Sequence, residues 1–501
     1  MEEWVPAHHP ARRLVTLLKR LDLSDLYAQY AAYGPPAYDP RDLLALLLYG
    51  YLHGIYSSRH LERATYELLP CIYLIGGAHP DHSCLAEFRH LVLTRCGPLF
   101  TAVLHAARDD GHLPQGPVSG DGTKIHAQAS KHAAVSYAHA GKTLEHLREQ
   151  VSELQALALR HNPTALPPGM DLPAELQLRM DRIEKLEDAR QVIEERADAR
   201  YAQEVAAYEA KLAARAERTR VTGKKPSGKP PAPPVPGPRP TDQYNFTDPQ
   251  SRIMKNSTNT GVDQHYNAQL VVTQDTRLIV GCTVTDQPND MQQAVPLLES
   301  IPAVCARPTA AAFDAGYRSE ANMRALEARG ITPYIATGKS QHGLNWRQWF
   351  AAHPDTPPPA EAGPLARMDY AVTTQEGDAI YRQRKSTVEP VIGIIKQVLG
   401  FRQFSVRGLE LVRGEWSLVC LIYNIKRLLT LSAPPHVQQA VHQAKLAMGE
   451  HCATASTAIY QCWQAGCRQL KHLLIGSSTR LSTQARIGVL ERSCWPWPTG
   501  C

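Results

Sequence analysis

The sequence predicts an α/β protein: a mixed β-sheet flanked by helices, preceded by an all-helical segment and interrupted by a coiled-coil hairpin. Three observations carry this. Two apolar, β-branched runs, HYNAQLVVT and RLIVGCTVT, flank Gln274-Asp275-Thr276 and read as a β-hairpin. A strand–helix–strand alternation follows, through TAAAFD, Ser319–Arg329 and ITPYIAT. Residues 1–113 and 141–218, by contrast, show only helical spacing and helix-start signals.

In chain order, residues 1–113 read as helical. Asp39-Pro40-Arg41-Asp42 supplies an N-cap, a proline at the first helical position and an early acid, and opens the run Leu43–Leu52. A second helix is expected over Ser58–Leu69 and a third from about Asp81, after Gly76-Gly77. With Arg59, His60, Arg63, His82, Arg89 and His90, this pair reads either as a DNA-binding helix-turn-helix or as a plain bundle with a solvated basic face. Residues 114–130 hold the first strand, PVSGDGTKI. Residues 131–221 form the hairpin: Leu144, Leu147, Val151 and Leu154 alternate steps of three and four, and Pro163 to Gly169 breaks the helix. A longer helix resumes near Leu176, with Met180, Ile183, Leu186, Ile193 and Ala197 along one face. Residues 222–245 make a basic linker; eight prolines in Thr222–Pro240 predict a disordered or polyproline-like segment. Residues 246–432 complete the sheet and close with helices at Ser386–Leu399 and Leu409–Leu431. The tail, 433–501, carries no readable signal.

Composition excludes several classes. No apolar run approaches the ~20 residues of a membrane span, and MEEWVPAHHP lacks the pattern of a signal peptide. Eleven scattered cysteines suit a reducing cytoplasm better than a disulfide framework. Cys462, Cys467 and His472 are spaced by five, about 140° apart on a helix, so they do not converge on one zinc ion. A net charge of +6 is too mild to prove a polyanionic partner.

Common cofactor motifs are missing: GDGTK has the wrong order for a P-loop, and no G-x-G-x-x-G follows a strand. Three acids remain, each expected at an element end. Asp121 sits between two glycines, which let a ligand or another backbone approach. Asp314 ends TAAAFD, and Glu389 begins the helix of YRQRKSTVEPVIGIIK. Each has a structural alternative. The aspartates also suit turns or N-caps, and Ser386 to Glu389 fits a capping box. Around Glu389, Arg382, Lys385 and Lys396 stand seven and four residues before it and seven after it, where cations could hold a phosphate backbone. Pro390 puts the first two of these before the helix.

Over most of residues 35–430 the chain resembles the DDE transposases of bacterial insertion sequences, whose catalytic domain has the ribonuclease-H-like fold. The resemblance runs through AYDPRDLLALLLYGYLHGI, HPDHSCLAEFRH, GDGTKIHAQASKH, DPQSRIMK, FDAGYRSEAN and STVEPVIGIIKQVLGFRQFSVRGLELVRGEWSLVCLIYNIKRL. It implies that Asp121, Asp314 and Glu389 are catalytic and hold two Mg²⁺ or Mn²⁺ ions. Oxygen ligands suit those ions, and a pair about 3.5–4 Å apart serves in-line phosphoryl displacement. Related transposases carry a Tyr, Arg, Glu, Lys signature around the last acid. Glu389 and Lys396 match it, Arg382 and Lys385 occupy the tyrosine and arginine places, and Tyr381 and Arg384 lie one residue out of register. The implied partner is double-stranded DNA, bound by a homo-oligomer, with Arg252, Lys255, Arg382, Lys385, Lys396, Arg402, Arg407 and Arg413 as phosphate contacts. The alternative is a DNA-binding relic that recognises element ends but no longer cuts.

Overall fold

The computed structural model describes residues 3–30, 38–159, 171–223, 228–256, 261–336 and 363–432. The tail with Cys462, Cys467 and His472, and the breaker Pro163 to Gly169, lie outside the described residues. The strands are β1 (Val118–His126), β2 (Ala134–Ser136), β3 (Gln243–Asn245), β4 (Arg252–Lys255), β5 (Val262–Thr273), β6 (Ile279–Thr285), β7 (Ala310–Phe313) and β8 (Thr332–Ile335). β2 and β3 pair apart from the rest as a small ribbon.

The main sheet has β5 beside β1, β1 beside β7 and β7 beside β8, while β4 and β6 share the other edge of β5. β5 runs antiparallel to β1 and β6; β7 and β8 run parallel to β1. An antiparallel hairpin, a central strand and two parallel strands in this order make the ribonuclease-H-like arrangement. The turn of the hairpin places Arg277 at φ 58° and leads straight into β6.

The N-terminal helices are α1 (Pro10–Leu18), α2 (Ser24–Tyr27), α3 (Pro40–Leu52), α4 (Ser58–Glu67), α5 (Leu69–Leu74), α6 (His82–Thr94) and α7 (Cys96–Asp109). Asp39 caps α3 by accepting from the Arg41 amide, and Asp81 caps α6 by accepting from Ser83 and Cys84. The two-helix reading of residues 58–94 needs correcting. Pro70 starts the extra short helix α5, and Gly76 and Gly77, both at positive φ, then turn the chain into α6.

Two long helices, α8 (Tyr137–Leu159) and α9 (Leu172–Thr222), lie between β1 and β5 in the chain. Tyr137 bonds Glu194, Arg148 pairs with Glu187, and Gln150 bonds Arg179, so rising numbers on α8 meet falling numbers on α9. The helices are antiparallel, with Ala140, Leu144, Leu147, Leu186 and Ala189 in the seam. At 1.5 Å per residue the 51-residue α9 is about 77 Å long and outruns α8. Its second half is accompanied by the proline-rich return strand. Arg215 donates to the Gly228 carbonyl, Arg239 pairs with Glu204, and Arg200 holds Gly237 and Asp242. Residues 228–240 are therefore seated on α9, not a disordered linker. Prolines leave few amides to satisfy, and the arginines of the helix serve their carbonyls.

The remaining helices are α10 (Ala294–Glu299), α11 (Glu320–Ala328), α12 (Pro364–Ala371), α13 (Gln375–Gly393) and α14 (Leu409–Leu431). The middle of α14, Leu418–Ile425, is buried on all sides because it lies between the sheet and the N-terminal helices, in one continuous core. At Gly414 the close approach is explicit: an added Cβ would lie 2.2 Å from the Leu93 carbonyl oxygen of α6. Next to it the buried Glu415 accepts from Tyr51 of α3 and from the amide and hydroxyl of Ser405. Among the described residues no helix is long and apolar enough to cross a membrane.

Candidate active site

β1 presents Asp121 from its middle, not from an end as expected. Its parallel register with β7 pairs Val118 with Ala311 and Ser119 with Ala312; carried two residues further, it sets Asp121 level with Asp314. Asp314 does stand at an element end, where it caps the following turn by accepting from the Gly316 amide at 2.8 Å. The glycines beside Asp121 are both required by close neighbours. A Cβ on Gly120 would fall 2.2 Å from the Phe313 ring, and one on Gly122 would fall 2.4 Å from Gln269 Nε2 and 2.7 Å from Asp290 Oδ1. Gly122→Ala should therefore lower the midpoint of thermal unfolding, at the ~1–3 kcal/mol typical of overpacking. Gly97→Ala, with nothing within 4 Å of the added methyl, should not.

The third acid arrives on α13, and the capping-box reading of Glu389 fails. The helix starts eleven residues before Ser386, where Thr374 accepts from the Gly377 amide, so Ser386 and Glu389 are interior. Pro390 also lies inside the helix, which widens into a π turn over Ile394–Val398. α13 is fixed to the sheet at two points. Thr387 donates to the Ser119 hydroxyl, and Gln274 bridges that same hydroxyl and the Ile380 carbonyl. Arg384 then reaches Asp121 Oδ2 with Nη1 at 3.2 Å and Glu389 Oε1 with Nη2 at 3.3 Å. One guanidinium, with its side chain 9% exposed, thus joins acids 268 positions apart in the chain (389 − 121).

Burial pushes the Asp121 carboxyl up to about 6; Arg384 opposes this, while the charges of Asp314 and Asp290 add to it. Asp314 is raised in the same way, first by burial, against the pull of the Gly316 amide and Arg384. The side chain of Asp121 is 18% exposed and that of Glu389 48%, so the site opens to solvent on the helix side.

Asp290 is the residue that sequence reasoning missed, and Arg384 is one it named only as out of register with the signature arginine. Asp290 Oδ1 accepts from Asn267 Nδ2 at 2.8 Å and Gln269 Nε2 at 2.6 Å. Its Oδ2 and Asp314 Oδ1 both lie within 3.5 Å of one point, the place of an added Cβ on Gly316. Gln269 in turn accepts from the Tyr317 hydroxyl. A signal for this cluster exists in the sequence: Asn267 and Gln269, two residues apart, put amides on one face of β5. For Arg384 the signal was a signature match one residue out of register, and only the docking of α13 gives it its reach.

The other expected contacts are distributed differently. Lys396 is half-buried and donates to the Lys124 carbonyl; burial, with Arg402 nearby, pulls its ammonium down. Lys255 is exposed at the sheet edge, where its carbonyl accepts from Lys124. Arg402 bonds the Lys396 carbonyl, and Arg407 the Gln128 carbonyl. Arg252 pairs with Asp286, Arg413 holds the Val284 carbonyl, Arg382 pairs with Asp378, and Lys385 is exposed.

The donor set is all oxygen, which suits a hard divalent cation. Among the described residues no three His, Cys, Asp or Glu side chains stand ready to ligate one ion as they are placed. Arg384 fills the space between Asp121 and Glu389 instead.

Fold and site together define a ribonuclease-H-like domain with a cluster of acids, joined to a helical N-terminal segment. Residues 235–425 match the family of the transposase DDE domain, and residues 1–91 match a second transposase domain family. The chain is 40% identical over 62 residues to a candidate transposase for insertion sequence element IS402 of Burkholderia cepacia, covering 11% of this chain and 29% of that relative. No solved structure matches it significantly. These matches make the chain similar to insertion-sequence DDE transposases, and it spans less than a third of the length of the curated relative it matches. Asp314 and Glu389 fall inside the matched DDE range, and Asp121 precedes it.

Proposed function

We propose that the protein is an active transposase that cuts DNA at the ends of its own insertion sequence and joins the freed strand to target DNA. The observation that carries this is the gathering of Asp121 and Glu389 around Arg384, with Asp314 level with Asp121 on the neighbouring strand. Water would attack a phosphodiester at the element end, releasing a 3′-OH; that 3′-OH would then attack a target phosphodiester in the same site. Asp121, Asp314 and Glu389 would hold Mg²⁺ or Mn²⁺. When bound, such ions stabilise the attacking and leaving oxygens of in-line displacement.

The chain's own residues supply the rest. Phe313 and Tyr317 pack behind the acids, and the Thr387–Ser119 bond fixes the helix that carries Glu389. Lys396 donates to the Lys124 carbonyl of β1, Lys124 to the Lys255 carbonyl, Arg402 to the Lys396 carbonyl, and Arg407 to the Gln128 carbonyl just beyond β1. These cations would position a phosphate backbone without reading bases. The hairpin of α8 and α9 would join protein copies on DNA.

The test is a gel assay with a labelled duplex carrying one element end, run with Mg²⁺, with Mn²⁺ and with chelator. Nicking that requires a divalent ion is expected, and native gels of the same duplex read the number of bound copies. Binding without nicking in either metal would favour the relic.

A further inference from the structure

We propose that Arg384 is a positioning residue that holds the ion-free acids together and competes with divalent cations for them. This rests on the metal-dependent reading above. Arg384 bridges Asp121 and Glu389, yet both bonds, at 3.2 and 3.3 Å, are longer than the ~2.7–2.9 Å of a well-formed guanidinium–carboxylate pair. Its Nε is buried with no hydrogen-bond partner among the described residues. The guanidinium is therefore enclosed but only partly satisfied, and its place can be taken by a better ligand.

Electrostatics says why it is there. Asp121, Asp290 and Asp314 lie close enough that each of the other two raises the Asp121 carboxyl, and Glu389 adds a fourth charge. Without ions, this cluster sits in a partly buried place with Arg384 as the cation that opposes it. Of the neighbouring cations, Lys396 is engaged with the Lys124 carbonyl and Arg382 with Asp378, and Lys385 is exposed. A divalent ion binds carboxylate oxygens at about 2.0–2.1 Å and doubles the charge. The ion and the guanidinium cannot both lie between the same two carboxylates. α13 need not shift for the exchange, since Thr387 and Ile380 pin its backbone to the sheet; the Arg384 side chain alone must turn away.

The test is titration of Mn²⁺ into the full, DNA-free chain by calorimetry, for the wild type, Arg384→Gln, Arg384→Lys and Asp121→Asn. Removing a positive charge a few ångströms from a divalent ion should tighten Mn²⁺ binding roughly tenfold in Arg384→Gln. Arg384→Lys, which keeps the charge, should stay near wild type, and Asp121→Asn should bind weakly. Arg384→Gln binding no tighter than wild type would overturn the inference while leaving the metal site standing. Wild type and Asp121→Asn binding alike would overturn the metal reading itself. Should Arg384→Gln fail to fold, arginine-labelled wild-type protein answers by NMR. The guanidinium signal missing from Arg384→Lys should shift in step with added Mg²⁺, and a signal that Mg²⁺ leaves unmoved overturns the inference.

Discussion

Glu389→Gln is expected to lower divalent-ion-dependent nicking at an element end by more than about 100-fold while leaving DNA binding and stability nearly intact. Substitutions outside a metal's ligand shell already cost about 10–100-fold, so removing a ligand's charge should cost more. The stability side follows from the position of Glu389. It is interior to α13, its side chain is about half exposed, and it caps nothing. Its one ion pair, to Arg384 at 3.3 Å, is long and partly solvated, so its loss should stay within about 1 kcal/mol. Glutamine keeps the size and the helix propensity. The checks are the gel assay, a binding titration on the same DNA and a thermal unfolding curve. Nicking within a few-fold of wild type would remove Glu389 from the site.

The second large effect is on stability against pH. The folded-state carboxyl of Asp121 is raised to about 6, against about 3.8 in the unfolded chain. A raised carboxyl favours the folded state while it keeps its proton. This contribution is complete below about pH 3.8, is lost as pH rises through about 6, and is absent above that. A shift of about two units corresponds to about 3 kcal/mol between the two limits. Asp121→Asn removes the titration. Measured without divalent ions, its unfolding midpoint should rise relative to wild type as pH goes from 4 to 8, although the variant no longer cuts. Parallel pH profiles of the two proteins would show that the charge on Asp121 does not oppose folding. Saturating Mg²⁺ should shrink the difference, because the ion neutralises the wild-type carboxylate and gains little from asparagine.

Much of the fold was legible in the sequence because its signals are local. Asp39-Pro40 starts α3, Asp81 starts α6, the paired runs around Gln274 give β5 and β6, and the core spacing of Val412, Trp416, Cys420 and Tyr423 gives α14 with its bounds. Proline misled twice, for one reason. At 390 and through 222–240 it was read by its usual local effect, as a helix start and as a disordered or polyproline-like linker. In the structure Pro390 sits inside α13, and residues 228–240 lie along the arginines of α9. Both depend on partners distant in the chain.

The site divides along the same line. The sequence by itself determined which acids are available, that glycines flank Asp121, and that two amides stand on one face of β5. Only the tertiary structure decided that β7 pairs in parallel with β1, which sets Asp314 level with Asp121. It alone decided that α13 docks through Thr387 on Ser119, which makes Arg384, not Arg382 or Lys385, the cation between the acids. Helix and strand periods are written residue by residue in the chain. Strand order and the rotation of a docked helix come from burying apolar faces contributed by segments hundreds of residues apart, and a shift of one residue along α13 turns a side chain by about 100°.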